Sequence, residues 1–199
     1  MNFHRLTRVT APTTSILTLE ETKVHLRVAH DDEDDLITSL IAAATAFIEG
    51  PQGIGIALLN QSWRLSLDGF TPSIRVPLGP VASITSVTYR DAAGTPQTLS
   101  AALYEADTDG STATIFPAVN ASWPSTSGRP GCVKVTFVSG YGDDPADVPA
   151  DLRAAALLLV GHLYSNREAV VGTTGSVTPL ELPLGVEAIL SRYRVTTFG

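Results

Sequence analysis

A single cysteine, Cys132, in 199 residues excludes an intramolecular disulfide, and with it the stapled scaffolds of small secreted proteins. The flanking Pro130-Gly131 and Val133 place that thiol at the start of a strand, where a buried structural role is expected. Long apolar runs are also missing. The longest, Ala154 to Leu163, is about half of what a bilayer span needs, and Gly161 and His162 interrupt it. The opening MNFHRLTRVTAPTTS has no apolar core of the kind a secretory signal carries, so none is expected. Basic residues are few: 13 against 20 acids, for a net charge of −7. Without a basic stripe, nucleic acid is not expected as a tightly held partner, although a duplex can pass nearby without sticking.

Recognisable chemistry is equally sparse. His4, His25, His30 and His162 form no zinc-type pair on one helix face, and one cysteine cannot complete a site. His162 reads as a core or interface histidine with one hydrogen bond. The run Asp31, Asp32, Glu33, Asp34, Asp35 invites a calcium reading, but an EF-hand loop needs glycine at its sixth position, where Leu36 stands. Gly53-Ile54-Gly55 starts like a dinucleotide fingerprint, yet it follows a helix, and Leu58 occupies the place of the third glycine. There is no Gly-x-Ser-x-Gly elbow and no phosphate loop. Asn120-Ala121-Ser122 fits a glycosylation sequon only by chance if no secretory signal accompanies it. No metal, no cofactor and no enzymatic activity are expected.

What the chain does contain is ordered punctuation. Thr18-Leu19-Glu20-Glu21 is a capping-box pattern opening a short helix to about Leu26. A second helix follows His30-Asp31-Asp32, with Leu36, Ile37, Leu40, Ile41, Ala44, Phe47 and Ile48 on one stripe. Its acids Asp31 to Asp35 are expected on the first turn, where the helix dipole favours negative charge, and Gly50-Pro51 ends it. The pattern then alternates. Gln61 to Asp68 puts Trp63, Leu65 and Leu67 on one face, and short strands follow at Ser73–Val76, Ser83–Arg90 and Pro96–Leu99, with Asp91 to Gly94 as a turn. A further hairpin joins Leu103–Ala106 to Thr112–Phe116, and Cys132–Val138 is another strand. Trp123, in the loop PAVNASWPSTSGRPG, is expected to fold over the mouth of this β unit, or else to serve as a binding anchor. Helix resumes at Ala150 to Ser165 behind Asp143 to Pro149. Residues 169–183 read as loop, Gly185 to Ser191 as a short helix, and Arg192 to Gly199 as a tail. The fold class is therefore α+β: an N-terminal helical part (1–58), an inserted antiparallel β barrel or sandwich (59–142), and a C-terminal helical part with tail (143–199) that completes the helical core.

Within AAALLLVGHLYSNRE, Leu152, Ala155, Ala156, Leu159 and Leu163 make one stripe, and Leu157, Leu158 and Val160 make another nearly opposite. The second stripe needs cover from the β unit or from another subunit, since burying each such side chain contributes about 1.5–3 kcal/mol and exposing three invites aggregation. Leu157, Leu158 and Val160 are therefore candidate subunit contacts, with Asn166, Arg167 and Glu168 at the helix exit.

The stretch LTLEETKVHLRVAHDDEDDLITSLIAAATAFIE resembles the N-terminal signature of phage head–tail connector (adaptor) proteins, which also occur in prophages and gene transfer agents. QSWRLSLDGF, VASITSVTYRDAAG, VSGYGDDPADVPADLRAAALLLVGHLYSNREAVV and LPLGVEAILSRYR extend the resemblance in order over nearly the whole chain. It implies a virion component of a phage or phage-like particle, assembled in the bacterial cytoplasm and placed at the particle neck. Its form would be a homo-oligomeric ring, a dodecamer, docked beneath the portal protein, extending the DNA channel and receiving a tail-side stopper or neck protein, with no membrane contact. In such a conduit an acidic lining lets DNA slide without specific binding, so some of Asp31, Asp32, Glu33, Asp34 and Asp35, or else the acids of the β insert, are candidate channel-facing acids. Arg192, Tyr193, Arg194, Val195 and Phe198 carry the aromatic and Arg anchors enriched at interfaces and are candidates for portal binding. Two other readings are a carbohydrate- or peptide-binding β module using Trp123 and Tyr104 as a platform, and an enzyme built from scattered acids such as Asp107, Asp109 and Asp143.

Overall fold

The computed structural model describes residues 5–166, 170–173, 176–179 and 184–195. Two hydrophobic cores organise them, one among helices and one between two antiparallel sheets. The helices are α1 (Leu19–Leu26), α2 (Asp34–Ile48), α3 (Ala150–Ser165) and α4 (Leu184–Tyr193). Thr18 caps α1, its hydroxyl accepting from Glu21 N, and Arg27 closes it in the left-handed region. The acidic run only partly enters α2, because the helix begins at Asp34 and Asp31 to Glu33 precede it. Ile37, Ile41, Ala44 and Ile48 are the buried residues of the α2 stripe, and Phe47 at its margin stays exposed.

The sheets are built from β1 (Leu6–Thr10), β2 (Gln61–Leu67), β3 (Ile74–Val76), β4 (Val81–Arg90), β5 (Pro96–Thr98), β6 (Tyr104–Asp107), β7 (Ala113–Pro117) and β8 (Val133–Ser139). One sheet has the order β1-β2-β8-β4-β5 and the other β3-β7-β6. Neither closes on itself, so the β unit is a sandwich and not a barrel. Trp63, Leu65, Val87, Val135 and Phe137 from the first sheet meet Ile74, Val76, Ala113 and Ile115 from the second in one core. Cys132 is buried beside that core, and its thiol donates to Asp68 O at 3.1 Å.

Three stretches depart from the sequence reading. β1, expected within the helical part, is an edge strand of the larger sheet, paired to β2 from Leu6↔Leu65 to Thr10↔Ser62. The stretch read as loop after α3 contains two strands, β9 (Val170–Thr173) and β10 (Ser176–Pro179), paired antiparallel. α4 also runs two residues beyond Ser191, so Arg192 and Tyr193 are helical.

The passages between the cores are packed joints. Ile54, Ile56, Leu58 and Leu59 are buried in the helical core and Ala57 in the β core. The outgoing and returning chains run side by side, with Tyr141 N donating to Leu58 O and Asn60 N to Gly142 O. Gly140 is required there: its φ is +145°, and a Cβ would stand 2.3 Å from the Leu59 carbonyl carbon. A polar clasp adds to the joint. Glu49 at the end of α2 accepts from Gln61 Nε2 at 3.0 Å, and Arg8 of β1 lies 3.6 Å from the other Glu49 oxygen. A largely buried carboxylate such as that of Glu49 needs such partners to offset its lost hydration.

Candidate functional site

α3 is the hub of the helical part, packing against α2, α4 and α1. That arrangement accounts for its run of large apolar residues, because cover arrives from three sides. Leu152, Ala155, Ala156, Leu159 and Val160 are all buried. Val160, expected to face a neighbour, is instead sealed within its own chain, and this corrects the reading of the second stripe. Small Gly161 admits the end of α1, where a Cβ would already touch His25 Nε2 at 3.3 Å. Leu157 is half-buried against the same core. Leu158 alone of the three remains 40% exposed. Asn166 caps α3, its side chain donating to His162 O at 2.8 Å, while Arg167 and Glu168 lie outside the described residues. His162 is partly buried, and its Nε2 has no hydrogen-bond partner among the described residues.

The acidic run divides by partner. Lys23 reaches both Asp31 and Asp34 at 2.6 Å, and its ammonium holds the Asp31 carboxyl below the usual carboxylate range. Glu33 accepts from the Tyr164 hydroxyl, tying α2 to α3. Asp32 has His30 at 3.6 Å, and its side chain is 93% exposed. Asp35 is also exposed. Asp32 and Asp35 therefore present charge to the surroundings, as does Asp31, which stays exposed although paired with Lys23, whereas Glu33 and Asp34 are engaged in the fold.

The candidate portal-binding residues are mostly seated on their own chain. Tyr193 donates to Asp151 Oδ1 at 2.7 Å, which raises its phenol pKa because the anionic partner favours the protonated form. Arg192 lies 3.6 Å from Asp151, and Arg194 lies 3.2 Å from Glu187. Val195 N donates to Ile54 O at 2.9 Å. Arg192 and Arg194 keep exposed side chains, and Phe198 lies outside the described residues. Beside this segment, a groove of about 350 Å³ runs between α2 and α4, lined by Ala46, Phe47, Ile54, Glu187 and Leu190 among others.

The β unit offers no assembled reaction centre. Trp123 stacks on Phe70 with centroids 4.7 Å apart and planes 7° from parallel, so one face of the proposed platform is already covered; Tyr104 packs at the margin of the same core. Asp107 accepts from Asp109 N within its own hairpin turn, and Asp143 is held by Asn60 at 3.0 Å. No cluster of three metal-ligating side chains occurs among the described residues, and none of the described helices is long and apolar enough to cross a membrane.

Residues 15–196 match the head completion protein family. No curated protein sequence matches the chain. Among solved structures, a chain in the neck of an empty gene transfer agent particle, computed with C6 symmetry, superposes with a TM-score of 0.77 at 30% identity. A chain in the virion of a native gene transfer agent particle gives 0.78 at 27% identity, and one in the native neck computed with C12 symmetry gives 0.67 at 25%. Each comparison covers 97% of this chain and 96% of the other. The chain belongs to the head completion protein family, and its α+β fold is that of a chain from the neck of gene transfer agent particles.

Proposed function

We propose that this protein is a structural neck component of a gene transfer agent or related phage-like particle. In this reading it forms a homo-oligomeric ring, a dodecamer, beneath the portal protein, extends the DNA channel and joins the capsid to a tail-side stopper protein. The observation that carries the reading is the near-full-length likeness to chains from necks computed with C6 and C12 symmetry. Closed rings need heterologous contacts, in which two different faces of each copy meet. Exposed Leu158 on α3 and Val24 on α1, the latter 78% exposed, suit such a face on the helical part, with Leu157 and Asn166 beside them. Asp31, Asp32 and Asp35 suit the channel: Lys23 is already paired with Asp31 and Asp34, so a lining in which acids outnumber cations makes few phosphate contacts and exerts little drag. Arg192, Arg194 and the last four residues, Phe198 included, suit contact with the portal.

The test is genetic. Particles made without this chain are expected to contain filled heads that fail to join tails and transfer no DNA, and complementation restores both. Tailed, transferring particles in its absence would refute the proposal. Truncation after Val195 separates portal docking from folding, because truncation after Ser191 would also remove the Tyr193–Asp151 and Val195–Ile54 contacts.

A further inference from the structure

The outward face of the five-stranded sheet carries one sign of charge in a chain whose net charge is the other. Along β2 the buried Trp63 and Leu65 alternate with exposed Arg64, and along β8 the buried Val133 and Val135 flank exposed Lys134. Register places Arg64 in a cross-strand row with Thr7, Thr136 and Ser86. The adjacent row sets Lys134 between Ser66 and Thr88. Arg90 extends the cationic side at the end of β4. No carboxylate belongs to these rows; the nearest acids in sequence, Asp68 and Asp91, sit beyond the strand ends. Both of those are occupied, Asp68 by Arg5 and Gly131 N, and Asp91 by Ala93 N, Thr95 N and Gln97. The ion pairs of the described residues use Arg5, Arg8, Lys23, His30, Arg153, Arg192 and Arg194; Arg64, Arg90 and Lys134 are left without one. A merely solvated face normally intersperses both signs.

The opposite side of the same sandwich carries the complementary sign. Ala106 of β6 pairs with buried Ile115, so Glu105 and Asp107 alternate to the outside, and Asp109 follows in the hairpin turn. Arg75 of β3 is the one cation on that sheet, in register with Thr114 and forming no ion pair. Each β unit is thus polarised, cationic and hydroxyl-rich on one face and acidic on the other.

We propose that these two faces are a head-to-tail contact between adjacent copies of this chain: the Arg64–Lys134 face of one β unit receives the Glu105–Asp109 hairpin of the next. The inference rests on the ring reading above and adds the surfaces and polarity of the contact. Copies with net charge −7 repel, and opposed patches offset that repulsion and fix the register of the contact. Such an arrangement is heterologous, as cyclic closure requires. DNA is a poorer occupant, since three cations on a broad face provide few phosphate contacts.

Zero-length carbodiimide coupling of intact particles, read by mass spectrometry, tests this directly. The chain has two lysines; Lys23, 2.6 Å from Asp31 and Asp34, is expected to link to those acids within its own chain, so Lys134 reports the contact. Its expected link is to Glu105, Asp107 or Asp109. These lie on the outside of the opposite sheet, about 10 Å of sheet packing away within one chain, so that link is between copies. Recovery of Lys134 linked only to Asp68 or Asp91, to another protein, or to nothing overturns the contact. Charge reversal gives an independent arm. Arg64→Glu with Lys134→Glu is expected to lower incorporation into particles about tenfold, equivalent to about 1.4 kcal/mol. Adding Glu105→Lys with Asp107→Lys in the same chain is expected to restore it. Arg64→Gln with Lys134→Gln, checked for folding by circular dichroism, covers the case of a reversal that misfolds. Normal incorporation of both variants, or lost DNA retention with unchanged incorporation, overturns the inference. If the wild-type chain is absent from the particles, it is the neck reading that fails.

Discussion

The two halves of the molecule expose different kinds of surface. In the helical part, the most apolar element, α3, is enclosed by α1, α2 and α4, and what reaches the outside is charge of both signs, the acids Asp31, Asp32 and Asp35 and the cations Arg27, Arg192 and Arg194, with a few isolated apolar side chains, Leu158, Val24 and Phe47. In the β unit the core lies between the sheets, and what reaches the outside is cationic and hydroxyl-rich on one sheet and acidic on the other. An apolar run therefore does not by itself mark an assembly face. Three packed neighbours satisfy most of α3, and the free valences of this chain are charge and edge positions.

The largest expected effect sharpens that contrast within α3. Val160→Asp places an uncompensated charge in the helical core and is expected to cost about 3–5 kcal/mol in urea unfolding. Leu158→Asp, two residues away on the exposed side, is expected to change stability by no more than about 0.5 kcal/mol while reducing incorporation into particles. Equal destabilisation by both would erase the distinction between the covered and open faces.

Trp123→Ala probes the β unit alone. Losing the Phe70 stack and its half-buried area is expected to cost about 1–3 kcal/mol. The loss should appear in hydrogen exchange of β4 and β8 before it appears in α3. Thr18→Ala removes the hydroxyl cap of α1 and is expected to cost about 1 kcal/mol, with increased exchange confined to the helical part.

The smallest effect is a pH dependence. Asp68 is held below its usual range by the Arg5 hydrogen bond and Gly131 N, and Asp91 by Gln97 and the amides of its turn. A lowered folded pKa contributes stability that is fully present above the unfolded value, about 3.9, and is lost as pH falls through the folded value. The β unit is thus expected to keep this support at neutral pH and lose it only below about pH 4. Asp91→Asn should flatten that part of the profile in thermal melts.

Much of this organisation was legible in the sequence because its signals are local. The Thr18 cap, the α2 stripe, the alternation of Trp63 and Leu65 and the bounds of α3 all follow from periodicity and punctuation. The misses share a cause: their determinants lie elsewhere in the chain. β1 buries no residue fully, so it shows no alternation and is specified by its partner β2. β9 and β10 have four residues each, too few to show a period. Val160 looked uncovered because the approach of α1 at Gly161 and of α4 is tertiary. The end of α4 was missed because Tyr193 is drawn in by Asp151. The sheet polarity was available once Arg64 and Lys134 were set in register, but register is not readable from one strand at a time.

The most direct test of the account is a three-dimensional reconstruction of the neck of particles carrying this chain. The account predicts a closed ring of copies around the DNA path, with Asp31, Asp32 and Asp35 toward the lumen and each Arg64–Lys134 face on the next copy's Glu105–Asp109 hairpin. Isolated copies that do not encircle the DNA path would contradict it.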